Sequence, residues 1–560
     1  MASKKQQKLE LTWIGKGEEP TLEPRILIEN PEYSYGDPNT ENLLIHGDNL
    51  LALKALEQDY TGKVKCIYID PPYNTGSAFE YYDDNVEHSI WLDLMKQRLV
   101  ILRNLLSKDG FICCHIDDSE GHYLKVLMDE VFGRTNYLTT FYVRVRYPDK
   151  TLKQDMNFHK EVEQIHIYRK EYGSKPNLNK QQNSFEKFNY YFKELTDGKE
   201  VEMAGKKVVI FNKDEYEIIK DEGSEDGRKE IWATGSILDG NSSGRFFRDN
   251  LTGRYEIDGY GVMYKVHGIG DDKFDFRYFT GPKKIGATKG KYFQGVPTSQ
   301  LDDKDGYKEV PINNYYDLAG SFGNCRLEGG AAFRSGKKPE ALLEIILNHF
   351  SNEGDIVLDS FLGSGSTAAS ALKMNRKFIG VELGDHAYSL CYERLKKVSD
   401  KNDRTGISKK YNWNENSGFK FYELAPSLLN KDKYDNWVIS KEYNPAMLAA
   451  AMAKQEGFTY APDKDTYWKQ GYSVEQDFIF TTTQFVTVEL LDQLQDQLQE
   501  GESLLICAKK FQPECHNKFK NIVLKKIPKM LLGKCEFGKD DYSLNIINPP
   551  VLTEEELGDE

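Results

Sequence analysis

The chain has 560 residues, 39% hydrophobic and 29% charged, with 88 Asp and Glu against 74 Lys and Arg for a net charge of −14. That length exceeds a single core, so several domains are expected, and no run approaches the ~18 apolar residues of a membrane span. The acidic total excludes a general DNA-coating protein, though not a local basic face, because phosphate contacts need Lys and Arg.

The opening Met1-Ala2-Ser3-Lys4-Lys5 has no apolar stretch behind it. It does not read as a secretory signal, and a cytoplasmic location is expected. Eight scattered cysteines form no CxxC pair and no Cys/His cluster with zinc spacing, so reduced thiols and no metal are expected.

Residues 1–40 are polar and read as an N-terminal arm. From Glu41 an α/β rhythm sets in. Asn42-Leu43-Leu44-Ile45-His46 predicts a short strand ending at Gly47-Asp48, and a helix through Leu50, Leu53 and Leu56 follows. Val64-Lys65-Cys66-Ile67-Tyr68-Ile69 predicts a buried strand. Ser89 is placed as N-cap of a helix carrying Leu92, Met95, Leu99, Leu102 and Leu106, stopped by Asp109-Gly110. Phe111 to Ile116 predicts another strand, and Ser119 the cap of the next helix. Residues 41–134 thus form the first part of an α/β domain.

Residues 135–334 change character, with Gly, Lys, Tyr, Phe and β-like runs such as Phe141-Tyr142-Val143-Arg144-Val145-Arg146. They predict a mixed, mostly β insertion. The α/β pattern resumes over 335–400: a helix from Pro339 to Phe350, a strand Asp355–Asp359, a glycine loop, a helix, the strand Lys377–Val381 ending in Glu382, and a helix from His386 to Lys397. Residues 401–417 read as a linker and 418–560 as a C-terminal α/β domain.

Two strand ends carry chemistry. After Ile69 come Asp70, Pro71, Pro72 and Tyr73. Neither proline can donate to a ladder, so the chain breaks there, leaving a carboxylate and a ring at the rim where open α/β sheets bind ligands. After Leu358 come Asp359, Ser360, Phe361, Leu362, Gly363, Ser364, Gly365, Ser366 and Thr367. Glycines allow close approach of a ligand to the backbone, and the helix N-terminus offers free N–H groups. The loop lacks the third glycine of a nicotinamide fingerprint. Glu382, at the next strand end, can accept ribose hydroxyls. Asp48 reads as a helix N-cap and a ligand contact.

The chain closely resembles the modification subunit of type III restriction-modification systems, an adenine-N6 methyltransferase of the β class. The resemblance covers residues 41–170 and 335–400. It rests on Ile45-His46-Gly47-Asp48-Asn49, Cys66 to Gly76 with Asn74-Thr75-Gly76 typical of the type III branch, His88-Ser89-Ile90-Trp91, His115-Ile116-Asp117-Asp118 and Leu124 to Glu130. Ser335-Gly336-Lys337-Lys338-Pro339-Glu340, the Asp359 loop and Gly380-Val381-Glu382 complete it. The order, catalytic motif then insertion then cofactor loop, is that of the β class. Ser360 stands where the family often has proline.

The resemblance implies a Rossmann-like, circularly permuted methyltransferase sheet that binds S-adenosylmethionine and double-stranded DNA. Asp70 and the Pro71 carbonyl would accept the N6 hydrogens, and Tyr73 would stack on a flipped base. Asp48 would lie by the cofactor adenine and Glu382 on its ribose. Asp70, Lys337, Asp359, Phe361, Gly363, Gly365, Ser366 and Thr367 would complete the cofactor site. A homodimer and a helicase-nuclease partner are implied.

Lys283, Lys284, Lys289 and Lys291, in an acid-free Gly-containing run, and Arg144, Arg146 and Lys150 are the candidate DNA contacts. Three alternatives stay open: a methyltransferase with no nuclease partner, a cytosine-N4 enzyme, and a non-catalytic DNA-recognition scaffold. No Pro-Cys pair of the cytosine-C5 kind occurs.

Overall fold

The computed structural model of the chain describes residues 10–73, 84–148, 158–233, 242–302, 306–330, 336–413, 417–473, 476–529, 531 and 535. Asn74-Thr75-Gly76, Lys150 and Ser335 lie outside the described residues. The chain divides into two compact units, Met1–Asn177 with Asn313–Glu560, and Leu178–Ile312.

The first unit is built on a ten-stranded sheet. Its strands are β1 (Leu27–Glu29), β2 (Leu43–His46), β3 (Val64–Ile69), β4 (Leu106–Ile116), β5 (Tyr137–Arg144), β6 (Val162–Arg169), β7 (Tyr315–Asp317), β8 (Ile356–Asp359), β9 (Lys377–Glu382) and β10 (Lys420–Leu424). In space they run β1-β10-β2-β9-β8-β3-β4-β6-β5-β7. From β10 to β4 every pairing is parallel. Such strands are covered on both faces and need continuous apolar runs. Val64, Cys66, Ile67, Tyr68 and Ile69 of β3 are accordingly all buried.

The connections decide where a ligand can enter. β3 leads through helix α1 (Asp84–Leu105) to β4 on one side of it. β8 leads through helix α2 (Ser366–Lys373) to β9 on the other side. β3 and β8 are themselves neighbours, with Leu358 beside Ile67. The two crossovers leave in opposite directions, so a crevice opens at the carboxyl ends of β3 and β8, the switch point where such sheets bind ligands.

Several local expectations are corrected. Helix α1 begins at Asp84, not at Ser89, which lies buried inside it. It ends at Leu105, ahead of Asp109-Gly110, because β4 starts at Leu106 beside Val64. Ser119 does not cap the following helix, Gly121–Met128. The Asp117 carboxylate instead takes the Ser119 N–H and hydroxyl, at 2.9 and 3.1 Å, and forms the turn. Phe141 to Arg144 belongs to β5, which extends the central sheet beyond β4 through β6, with β6 antiparallel to both. Burial of Phe141, Val143, Ile165 and Ile167 drives this pairing. At the far edge, β10 inserts between β1 and β2, drawing residues 27–29 and 420–424 into the same sheet.

Residues beyond β10 form a five-stranded sheet with helices at Pro445–Gln455 and Val488–Gln497. Lys454 Nζ donates to the Ala55 carbonyl at 2.5 Å, and Gln58 Nε2 to the Phe458 carbonyl at 3.0 Å, fastening this part to the helix Asn49–Tyr60. Leu178–Ile312 contains an eight-stranded sheet whose pairings are antiparallel. Residues of alternating parity build two apolar clusters, Val208, Ile210 and Phe279 in one and Val209, Phe211 and Tyr278 in the other. No helix among the described residues is long and apolar enough to cross a membrane.

Candidate active site at the switch point

Asp70 follows β3 directly, and the Pro72 carbonyl accepts the Trp91 indole N–H at 2.8 Å. That bond anchors the Pro-Pro break to α1. Asp70 Oδ1 accepts the Tyr73 hydroxyl at 2.8 Å and lies 3.3 Å from Lys338 Nζ. The same hydroxyl oxygen lies 3.1 Å from Glu163 Oε2 and accepts from Lys338 Nζ at 2.7 Å. Lys338 Nζ is also 3.2 Å from Glu163 Oε2. His115 Nε2 lies 2.8 Å from that oxygen, and its Nδ1 is 2.7 Å from the Tyr68 hydroxyl. Five chain segments therefore converge: β3, its following loop, β4, β6 and the turn before the helix Glu340–Phe350.

Burial sets the electrostatics. The Lys338 side chain is 8% exposed and that of Glu163 14%. Burial works to lower the Lys338 ammonium, yet Asp70 and Glu163 outweigh it and hold it above the ordinary lysine value. Burial likewise works to raise Glu163, yet Lys338 and His115 outweigh it and hold the carboxyl well below the usual range. The Tyr73 hydroxyl is pushed far up, first by burial and then by Asp70 and Glu163, so it stays protonated.

Beside this cluster, Asp359 ends β8. Its carboxylate accepts Phe361 N–H at 2.9 Å and Thr367 Oγ1–H at 2.6 Å, closing the loop on itself. Burial pushes Asp359 up to about 7 against these donors. Gly363 and Gly365 have φ of 57° and 75°, the left-handed region that favours glycine. Gly365 ends without a side-chain cap at the N-terminus of α2, where a ligand can use the N–H groups. The Ser366 hydroxyl accepts from Arg394 Nη1 at 2.8 Å. Glu382 accepts Gly363 N–H at 2.7 Å and Gly384 N–H at 2.9 Å, and pairs with His386 at 2.9 Å. It ties two strand-end loops together, and its oxygens keep further lone pairs for hydroxyl donors.

Asp48 is the N-cap of the helix Asn49–Tyr60, taking Leu51 N–H at 3.0 Å, with Arg98 at 3.8 Å. Lys337 Nζ donates to the carbonyls of Glu328 at 2.6 Å and Arg326 at 3.3 Å. Its neighbour Lys338 is the lysine that reaches Asp70. Sequence reasoning missed Lys338 and Glu163. A signal existed for Glu163, which stands in strand phase with the buried Ile165 and Ile167.

Of the candidate DNA contacts, Arg144 pairs with Glu161 at 3.1 Å and Asp317 at 3.0 Å, and Arg146 donates to the Lys160 carbonyl at 2.6 Å. Lys283, Lys284 and Lys289 are exposed in Leu178–Ile312, whereas Lys291 pairs with Glu230 at 2.7 Å.

A family model described as DNA methylase matches residues 64–393. The chain is 35% identical, over 71% of its length and 56% of the relative's, to the probable type III restriction-modification enzyme HindVI Mod subunit of Haemophilus influenzae. It is 27% identical, over 78% of its length and 76% of the relative's, to the type III restriction-modification enzyme EcoPI Mod subunit of Escherichia phage P1. The chain thus spans little more than half the length of the Haemophilus relative. With more than half of its residues inside the family match, the strand ends of β3, β8 and β9 included, the chain belongs to the DNA methylase family.

Proposed function

We propose that the chain is a site-specific DNA methyltransferase that moves a methyl group from S-adenosylmethionine to adenine N6 of a flipped-out base. Its setting would be the modification and recognition subunit of a cytoplasmic type III restriction-modification system. The observation that supports this most is the meeting of Asp70 and the Asp359 glycine loop on neighbouring strands at the switch point.

The residues fit the donor. The left-handed turn at Gly363 and Gly365, the uncapped start of α2 and the carboxylate of Glu382 suit an extended nucleoside carrying a charged amino-acid end. When bound, S-adenosylmethionine supplies an electrophilic methyl group on a sulfonium. Asp70 then accepts one hydrogen of the base amine and the Pro71 carbonyl another. Both draw the lone pair out of ring conjugation and stabilise the positive charge growing on nitrogen. Tyr73 stacks on the base, and the two strand ends supply alignment.

The base identity is tested by incubating the protein with plasmid DNA and the methyl donor and digesting to nucleosides. N6-methyladenine is expected, and N4-methylcytosine would assign the alternative chemistry. The relatives are named as subunits of type III restriction-modification enzymes; a homodimer and a helicase-nuclease partner are the assembly proposed for this chain, which co-purification from the source cell would reveal.

Asp359 gives a pH prediction. Its folded pKa is raised, so its contribution to apo stability is full below about pH 4, the unfolded value, and is lost as pH rises to about 7. The cationic amino group of the donor favours the ionised form. The rise in melting temperature caused by saturating donor is expected to be larger at pH 8 than at pH 6. Asp359→Asn should erase that difference, measured by calorimetry.

Lys283, Lys284 and Lys289 support DNA binding. Replacing all three with Ala is expected to weaken binding and to flatten the plot of log affinity against log salt by about one for each phosphate no longer neutralised. An unchanged slope would place the phosphate-binding cations elsewhere.

A further inference from the structure

We infer that Glu163 sets the charge of the Asp70 pocket by sharing Lys338, which leaves the Asp70 carboxylate free to act on the amine. The inference rests on the role given to Asp70 above. A lone buried ammonium 3.3 Å from Asp70 would cancel the very charge that the reaction uses. Here that ammonium is divided among Asp70, Tyr73 and Glu163, at 3.3, 2.7 and 3.2 Å.

The other groups facing the pocket do not undo this division. Tyr73 has one hydroxyl proton for two carboxylates, so it cannot neutralise either. His115 lies against Glu163 and Tyr68, with Nε2 2.8 Å from Glu163 Oε2 and Nδ1 2.7 Å from the Tyr68 hydroxyl. Asp359 on β8 adds no positive charge. Among Asp70, Glu163 and Lys338, two carboxylates against one ammonium leave one negative charge at the place where N6 turns positive. Glu163 is thus a positioning residue acting through Lys338.

The charge count makes a double substitution informative. Glu163→Gln leaves one carboxylate against one ammonium, and kcat is expected to fall about tenfold to a hundredfold with donor affinity unchanged. Adding Lys338→Met restores a single negative charge, so the double variant is expected to be about tenfold faster than Glu163→Gln alone. A merely structural role predicts the opposite order, since two substitutions disturb packing more than one.

The test is single-turnover methylation of plasmid DNA by the full chain, with melting curves for each variant. A double variant that melts cooperatively and is no faster than Glu163→Gln overturns the inference. Should the double variant not fold, the pH profile of Glu163→Gln decides. Its rate is expected to climb at alkaline pH as Lys338, held by one carboxylate instead of two, gives up its proton, and a flat profile overturns the inference. Failure here is separable from failure of the proposed function. A fully active Asp70→Ala removes the role of Asp70 itself, whereas an inactive Asp70→Ala with no regain in the double variant removes only Glu163.

Discussion

Asp70→Ala is expected to lower methyl transfer by about a hundredfold to a thousandfold or more while donor affinity changes by less than about threefold. The carboxylate touches none of the glycine-loop groups. Phe361 N–H and Thr367 Oγ1–H go to Asp359, and Gly363 N–H goes to Glu382. The fold should also survive. Lys338 keeps Glu163 at 3.2 Å, so no ammonium is left buried alone. Radiolabelled methyl incorporation and donor titration by calorimetry check both halves. An active variant would take Asp70 out of the mechanism, and a variant that loses the donor as well would give Asp70 the direct cofactor contact that the family resemblance implies.

Glu340→Ala is expected to cost about 3–5 kcal/mol of stability and to loosen the glycine loop with it. The Glu340 carboxylate is fully buried and accepts Lys373 Nζ at 2.9 and 2.8 Å, Arg394 Nη2 at 2.8 Å and Ile407 N–H at 3.1 Å. Lys373 would keep Asp403, at 2.7 Å, but Arg394 would be left without its carboxylate. Arg394 also donates to the Ser364 carbonyl at 3.1 Å and to the Ser366 hydroxyl at 2.8 Å, bracing the glycine loop. Donor affinity should therefore fall together with the melting temperature, in contrast to Asp70→Ala. Denaturant unfolding with and without donor measures both. Undiminished stability would mean that water or a rearranged acid replaces the missing carboxylate.

The buried strands β3, β8 and β9 and their chemical ends were legible in the sequence because the signals are local. An apolar run forces burial, Pro71 and Pro72 forbid ladder bonds, and Gly363 and Gly365 permit a left-handed turn. Asp70, Asp359 and Glu382 could be placed at strand ends without knowing which strand lies beside which. The helix starts at Asp84 and Gly121 were missed because Ser89 and Ser119 carry capping chemistry that packing and the Asp117 turn overrode.

Tertiary structure alone decided the rest. Pairing of β8 with β3 joins chain segments far apart in sequence, and only the sheet shows that their crossovers depart in opposite directions. The same holds for β5, β6 and β10, whose β-like runs say nothing of their neighbours. Two adjacent lysines look alike in the sequence. The turn before Glu340 sends Lys337 to backbone carbonyls and Lys338 to Asp70, Tyr73 and Glu163. Local chemistry follows from the residues in a strand and its loop, while the charge of a buried pocket is a sum over segments that only long-range packing brings within a few ångströms.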